Sequence, residues 1–260
     1  MAQRIRQEVS AHGTDLNRIL RVLQRLGDSK AVAGMARYGI TAKRVFGVSV
    51  PNLRALAREI GTDHELAGRL WDEAILETRA LASLVDDPAL VTAKQMDRWA
   101  SAFDSWAVCD GCCLNLFVHT PFATRKALAW SQREEEFVKR AGFVLMACLA
   151  VHDKAAPNAA FKVFLPVIAG AAGDGRNFVK KAINWALRQI GKRNVALNRA
   201  AIATARAIAR QPSPAARWIA ADALRELTRA AVQKRLARRA SARAGSSSRR
   251  AGSRIRTSPP

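Results

Sequence analysis

Apolar residues recur along most of this chain at intervals of three and four, the period of a helix with one buried side. No segment shows the strict alternation of a half-buried strand. The pattern predicts helices over 15–27, 29–38, 51–60, 63–71, 75–86, 92–103 and 105–118, then over 121–131, 134–152, 158–171, 176–193, 196–210 and 213–229. Gly27 and Gly39 stop the first two, and Pro51 opens the third from a first-turn position. Arg44 to Val50 reads as a connector, and Asp86-Asp87-Pro88 is one of the breaks between later helices. Helices of ten to twenty residues with short links, repeated to the end, describe antiparallel pairs stacked side by side. The fold class is all-α, and the favoured arrangement is a curved α-solenoid of antiparallel HEAT-like helix pairs. A compact irregular bundle is the alternative; the solenoid has the merit of offering a long concave basic surface.

The pattern changes near residue 233. Residues 234–260 are built mainly from Ala, Arg, Ser and Gly, too little apolar area to fold alone, so a disordered basic tail is expected after a helical domain spanning 1–233. Charge adds to this. The 260 residues carry 43 Lys and Arg against 21 Asp and Glu, a net +22. The tail holds nine of the basic residues and no acidic one, so residues 1–233 keep 34 against 21, a net +13. The helical part is basic in its own right, which points to a polyanionic partner such as nucleic acid or an acidic membrane surface. No run of about 18 apolar residues occurs. Met1 to Glu8 contains no apolar signal core, so an intracellular protein with no membrane span is expected.

Three of the four cysteines (Cys109, Cys112, Cys113 and, apart, Cys148) fall within five residues of one predicted helix. Cys109-x-x-Cys112 is half of a zinc spacing with no second pair to complete it, and small buried thiols are the better reading. No metal is expected.

Three positions depart from the simple core-and-surface pattern. In 105–118, a helix apolar on almost every side, Trp106 and Asp110 stand four residues apart and share a face. A carboxylate there requires a partner or water. It is either half of a structural ion pair with an Arg or a group that meets positive charge developing in a substrate, as in glycosidic cleavage. In 134–152, Arg140 shares its strip with Val144, Ala147 and Val151 and needs an anion, from a neighbouring helix or from a ligand. In 176–193, Val179, Ala182, Ile183, Ala186, Leu187 and Ile190 form the core stripe. Trp185 points away from that stripe among Phe178, Lys181, Arg188 and Lys192. Such a face either grips phosphates beside an aromatic plate or packs on the next helix with solvated cations around it.

Four stretches, in order, resemble the DNA alkylation repair family of the AlkD type: Met35-Ala36-Arg37-Tyr38-Gly39, Phe46 to Arg54, Trp106-Ala107-Val108-Cys109-Asp110, and Lys181 to Arg188. The resemblance covers about residues 15 to 229 and leaves the tail outside. It implies a HEAT-like repeat, monofunctional DNA glycosylase that removes N3- and N7-alkylated purines from duplex DNA, without metal or organic cofactor, as a monomer. The family's catalytic aspartate falls on Asp110 and its two sugar-facing tryptophans on Trp106 and Trp185. Its phosphate-gripping arginines fall on Arg140 and Arg188, and a DNA-facing tyrosine on Tyr38, with Lys181 beside them. Ala107 and Val108 stand where some members carry a second Trp and an extra Asp. The rival expectation is a non-catalytic DNA-binding or damage-sensing solenoid, since a fold does not make an enzyme.

Overall fold

A computed structural model describes residues 15–40 and 42–254, with side chains described through Ala242. Every described regular element is helical. In chain order these are α1 (Leu16–Leu26), α2 (Ser29–Met35), α3 (Val50–Ile60), α4 (His64–Asp72), α5 (Leu76–Val85), α6 (Ala93–Ser101), α7 (Trp106–Asn115) and α8 (Ala123–Trp130). There follow α9 (Glu136–His152), α10 (Asn158–Lys162), α11 (Phe164–Ala171), α12 (Asn177–Gly191), α13 (Val195–Ala209), α14 (Pro214–Leu227) and α15 (Ala230–Arg254). Two 3-10 turns, Ala36–Tyr38 and Phe117–His119, finish the stretches opened by α2 and α7.

Local chemistry sets most of the starts. Asp15, Asp28, Ser49, Asp63, Thr92, Ser105, Asn194 and Ser213 each accept from a first-turn backbone N–H. Pro51 and Pro214 occupy first-turn positions where no N–H is needed. The single helix expected over 158–171 is two, broken at Val163. Pro166 explains the break: a continuous helix would put its ring against the Lys162 carbonyl and lose the bond to it.

The contacts divide the chain into two compact units, Met1–Leu145 and Met146–Pro260. In the first, α4 packs on α1 and α5, while α3, α5 and α7 contact in sequence, every second helix forming a row. The core beneath is aromatic: Trp71 and Trp99 stack at 4.1 Å and 3°, and Phe103, Phe117 and Trp130 continue the cluster edge-on and tilted. The Arg44–Val50 connector is held by a buried carboxylate. Glu77 of α5 accepts from the N–H groups of Phe46, Gly47 and Val48 at 2.9, 2.7 and 3.2 Å. Gly47 has φ 84°, and a Cβ there would meet the Asp28 carbonyl oxygen at 2.3 Å. Gly142 serves α9 differently: a Cβ would lie 2.4 Å from the Ser131 nitrogen, so only glycine lets α9 pass so close to the end of α8.

In the second unit α12 packs on α13 and α14, α13 on α14, and α10 and α11 on α13. The expected core stripe of α12, Val179 through Ile190, is fully buried. The chain does not leave the packed structure at 233. It is helical from Ala230 to Arg254, and α15 contacts α13 and α14 with Val232 and Leu236 buried. Two apolar residues four apart suffice to dock the start of a helix whose remaining composition is polar. Residues 255–260 of the expected tail lie outside the described residues. Among the described residues no helix is long and apolar enough to cross a membrane.

Candidate functional site

The face of α7 that carries Trp106 and Asp110 is set by what surrounds the helix start. Arg79 donates to the Ala102 carbonyl (3.0 Å) and to Asp104 (3.2 Å), with its guanidinium 5.1 Å from the Trp71 ring. That fixes the turn before the buried N-cap Ser105. Val108, Cys109, Cys112 and Cys113 then go into the core, leaving Trp106 and Asp110 half-buried on the other side. The Trp106 indole Nε1 donates to the Tyr38 carbonyl oxygen at 2.8 Å. The bond ties the Ala36–Tyr38 turn to α7, while the Tyr38 side chain remains 73% exposed. Tyr38, 68 residues earlier in sequence, is thus brought to the helix that carries Trp106 and Asp110.

Arg140 joins them. Its Nε and Nη2 donate to the two oxygens of Asp110 at 2.8 and 2.7 Å, a side-on, bidentate pair between α7 and α9. The Arg140 side chain is 8% exposed and that of Asp110 21%, so the carboxylate is the member that solvent or a ligand can reach. Burial pushes the Asp110 carboxyl above its ordinary value, and the hydrogen bonds and charge of Arg140 offset only part of that. Burial also disfavours the charged Arg140, but Asp110 outweighs it and holds the guanidinium protonated. The nearby thiols are structural: Cys109 donates to the Phe137 carbonyl (3.4 Å) and Cys113 to that of Ala141 (3.7 Å). Among the described residues no group of His, Cys, Asp and Glu is arranged to hold a metal ion.

On α12, in the second unit, Lys181 is exposed and Trp185 half-buried, opposite the core stripe. Arg188 does not stand free. It bridges Asp222 (3.2 Å) and Glu226 (2.7 Å) of α14, and Lys192 meets Glu226 at 2.6 Å. Asn184 donates to Asp222 at 2.6 Å, and Arg225 also pairs with that carboxylate. Burial would raise the Glu226 carboxyl, but the hydrogen bond and charge of Lys192, with Arg188, hold it below its ordinary value. Both arginines expected at phosphates therefore rest on carboxylates in this structure, Arg140 on Asp110 and Arg188 on the α14 pair. Asp222, Glu226 and Glu77 were not singled out from the sequence. The first two had a signal available: acids four apart on α14 match Arg188 and Lys192, four apart on α12.

The family model of the DNA alkylation repair enzyme matches residues 19–239. The chain belongs to that family. The match runs past 233 and takes in the start of α15, in keeping with the burial of Val232 and Leu236. Among solved structures, the fold is similar to one described as a new family of proteins related to the HEAT-like repeat DNA glycosylases with affinity for branched DNA structures. The TM-score is 0.68 at 19% identity, covering 80% of this chain and 94% of that one, which establishes the HEAT-like helical fold. None of the curated proteins matches the chain.

Proposed function

We propose that this DNA alkylation repair family member is a monofunctional glycosylase that releases N3- and N7-alkylated purines from duplex DNA. The observation that carries the reading is the Asp110 carboxylate, mostly buried but still reachable, held side-on by Arg140 on the helix that carries Trp106. Alkylation at N3 or N7 leaves the purine cationic, so the C1′–N bond breaks with its electron pair moving to the base, which departs neutral. No general acid is needed for that departure, nor a metal or organic cofactor. The sugar develops oxocarbenium character, and Asp110 supplies the fixed negative charge beside it. A water held by the same carboxylate attacks C1′ and gives its proton to Asp110. Trp106 walls the sugar from bulk water, and Arg140 keeps the carboxylate in place. Tyr38, Lys181, Trp185 and Arg188 contribute the aromatic and cationic contacts to the DNA backbone. The working form is a single chain acting on intracellular DNA.

The test is release of 7-methylguanine from methylated duplex by the wild type beside Asp110→Asn, with binding measured on the same substrate. Excision should disappear in the variant while binding survives. A variant that excises as fast as the wild type would remove Asp110 from the chemistry.

One observation favours a second reading, a DNA-binding protein without excision: both Asp110 oxygens are already engaged by Arg140. The solved relative described by its affinity for branched DNA is a precedent for binding on this fold. In that case the wild type releases no alkylpurine, and Asp110→Asn changes stability but not affinity.

A further inference from the structure

A cavity of about 1100 Å³ in the second unit is lined by neither Trp185 nor Lys181. Its walls come from the α9–α10 link, the α12–α13 turn and the start of α15. Five cations line it (Lys154, Lys192, Arg193, Arg235 and Arg239), and among the described residues no acidic side chain does. Two of the five have structural work. Lys192 is paired with Glu226, and Arg193 donates to the Ala150 and Ala156 carbonyls while lying 3.9 Å from the Phe161 ring. Arg193 thereby holds the α9–α10 link against α12. Lys154 and Arg239 are exposed, and the Nε of Arg235 is buried with no hydrogen-bond partner.

The cations on α15 are not carried on a loose end. Val232 and Leu236 are buried, and Gln233 donates to Asn198 (3.0 Å) and to the Leu227 carbonyl (2.5 Å). Arg235 and Arg239, four apart, therefore share one fixed face. A buried guanidinium nitrogen without an acceptor is costly unless something outside the chain supplies one. Uncompensated cations fixed around a single cavity repel one another until an anion enters it. The sequence continues from this face with Arg243, Arg249, Arg250, Arg254 and Arg256 and no acid, so the matching partner is an extended polyanion rather than one small anion.

We propose that this pocket is a second DNA-binding site, seating backbone phosphates on Lys154, Arg235 and Arg239. The inference rests on the chain being a DNA-binding protein but not on its being a glycosylase. It is tested with the full chain by titrating unmodified duplex DNA over a range of salt. Each neutralised phosphate contributes about 0.9 to the slope of log affinity against log salt. The Arg235→Gln/Arg239→Gln variant should lose about 1.8 of slope and about tenfold or more in affinity at moderate salt. Lys154→Gln, on an exposed link, should lose about half that slope and guards against a folding defect in the first variant. Neutralising the exposed Arg58 and Arg69 together gives the comparison for net charge alone and should leave the slope nearly unchanged. Equal slopes for the pocket variants and wild type overturn the site, as does an equal loss in the Arg58/Arg69 variant. Competition by pyrophosphate that depends on Arg235 but leaves duplex affinity untouched would also overturn it, since the pocket would then serve a small anion. A wild type that binds no duplex at all would instead defeat the DNA-binding reading beneath it.

Discussion

Two arginine–carboxylate contacts between helices, built from the same groups, differ in what they do to the carboxylate. On α7 and α9 one Arg meets one Asp with little solvent around them, and burial leaves Asp110 above its ordinary range. On α12 and α14 two cations of one helix meet two acids of the other, and Glu226, more exposed than Asp110, is held below its ordinary value. An ion pair is therefore not one kind of object. Where cations outnumber the burial penalty, the carboxylate is satisfied and the contact is a clamp. Where a single cation offsets only part of that penalty, the carboxylate keeps a drive toward any further positive charge. A sugar passing through an oxocarbenium-like state offers that charge. A structural clamp has no use for it.

The largest effect that would break the comparison is a loss of excision from the wrong pair. Asp110→Asn should lower single-turnover excision of 7-methylguanine by at least about 10²-fold, in line with removal of one preorganised electrostatic group. Asp222→Asn, which touches Arg188, Arg225 and Asn184, should leave excision within severalfold. Comparable losses in both would erase the distinction.

Next in size is Arg140→Gln. With the guanidinium gone, burial of Asp110 is opposed only by the lesser hydrogen bond from Cys109 and the carboxylate's orientation is lost, so excision at neutral pH should fall about 10- to 100-fold. The pH profile separates this from simple loss of fold. Asp110 must be ionised to act, and its carboxyl lies above the ordinary 3.8, so the wild-type rate should fall on the acid side at a pH above that value. Removing Arg140 takes away a cause that lowers this pKa, so the acid limb should move further up. A limb that stays put would make Arg140 a scaffold residue without influence on the carboxylate.

The smallest effect concerns the clamp. Glu226→Gln should cost about 1 kcal/mol of stability at neutral pH, read as a lower Tm. Folding depresses the Glu226 pKa, so its contribution is present above the ordinary 4.5 and lost as pH falls through the folded value. The variant and wild type should therefore converge in acid. The same change leaves Arg188 with Asp222 alone and takes from Lys192 its pairing with Glu226, and duplex affinity should rise slightly. A fall in affinity would mean that Glu226 presents Arg188 to DNA rather than withholding it.

What could be read from the chain alone was whatever depends on neighbours within one helix. Pro51, read as a first-turn residue, placed a start within one residue. The 3.6-residue period placed the α12 core stripe and put Trp106 and Asp110 on one face, and both came out as expected. These follow from geometry repeated every turn. Only the tertiary structure decided which faces oppose. Asp110 and Arg140 are 30 residues apart, Glu77 and Gly47 are also 30 apart, and Asn184 and Asp222 are 38 apart. Helical period says that a side chain points outward, but not which neighbour it meets. That depends on how closely the helices pass and in what register. A missing Cβ at Gly142, two residues beyond Arg140, lets α9 lie against the end of α8. Sequence thus determined that Asp110 would be an uncomfortable carboxylate, and packing decided that Arg140 would be the residue to hold it.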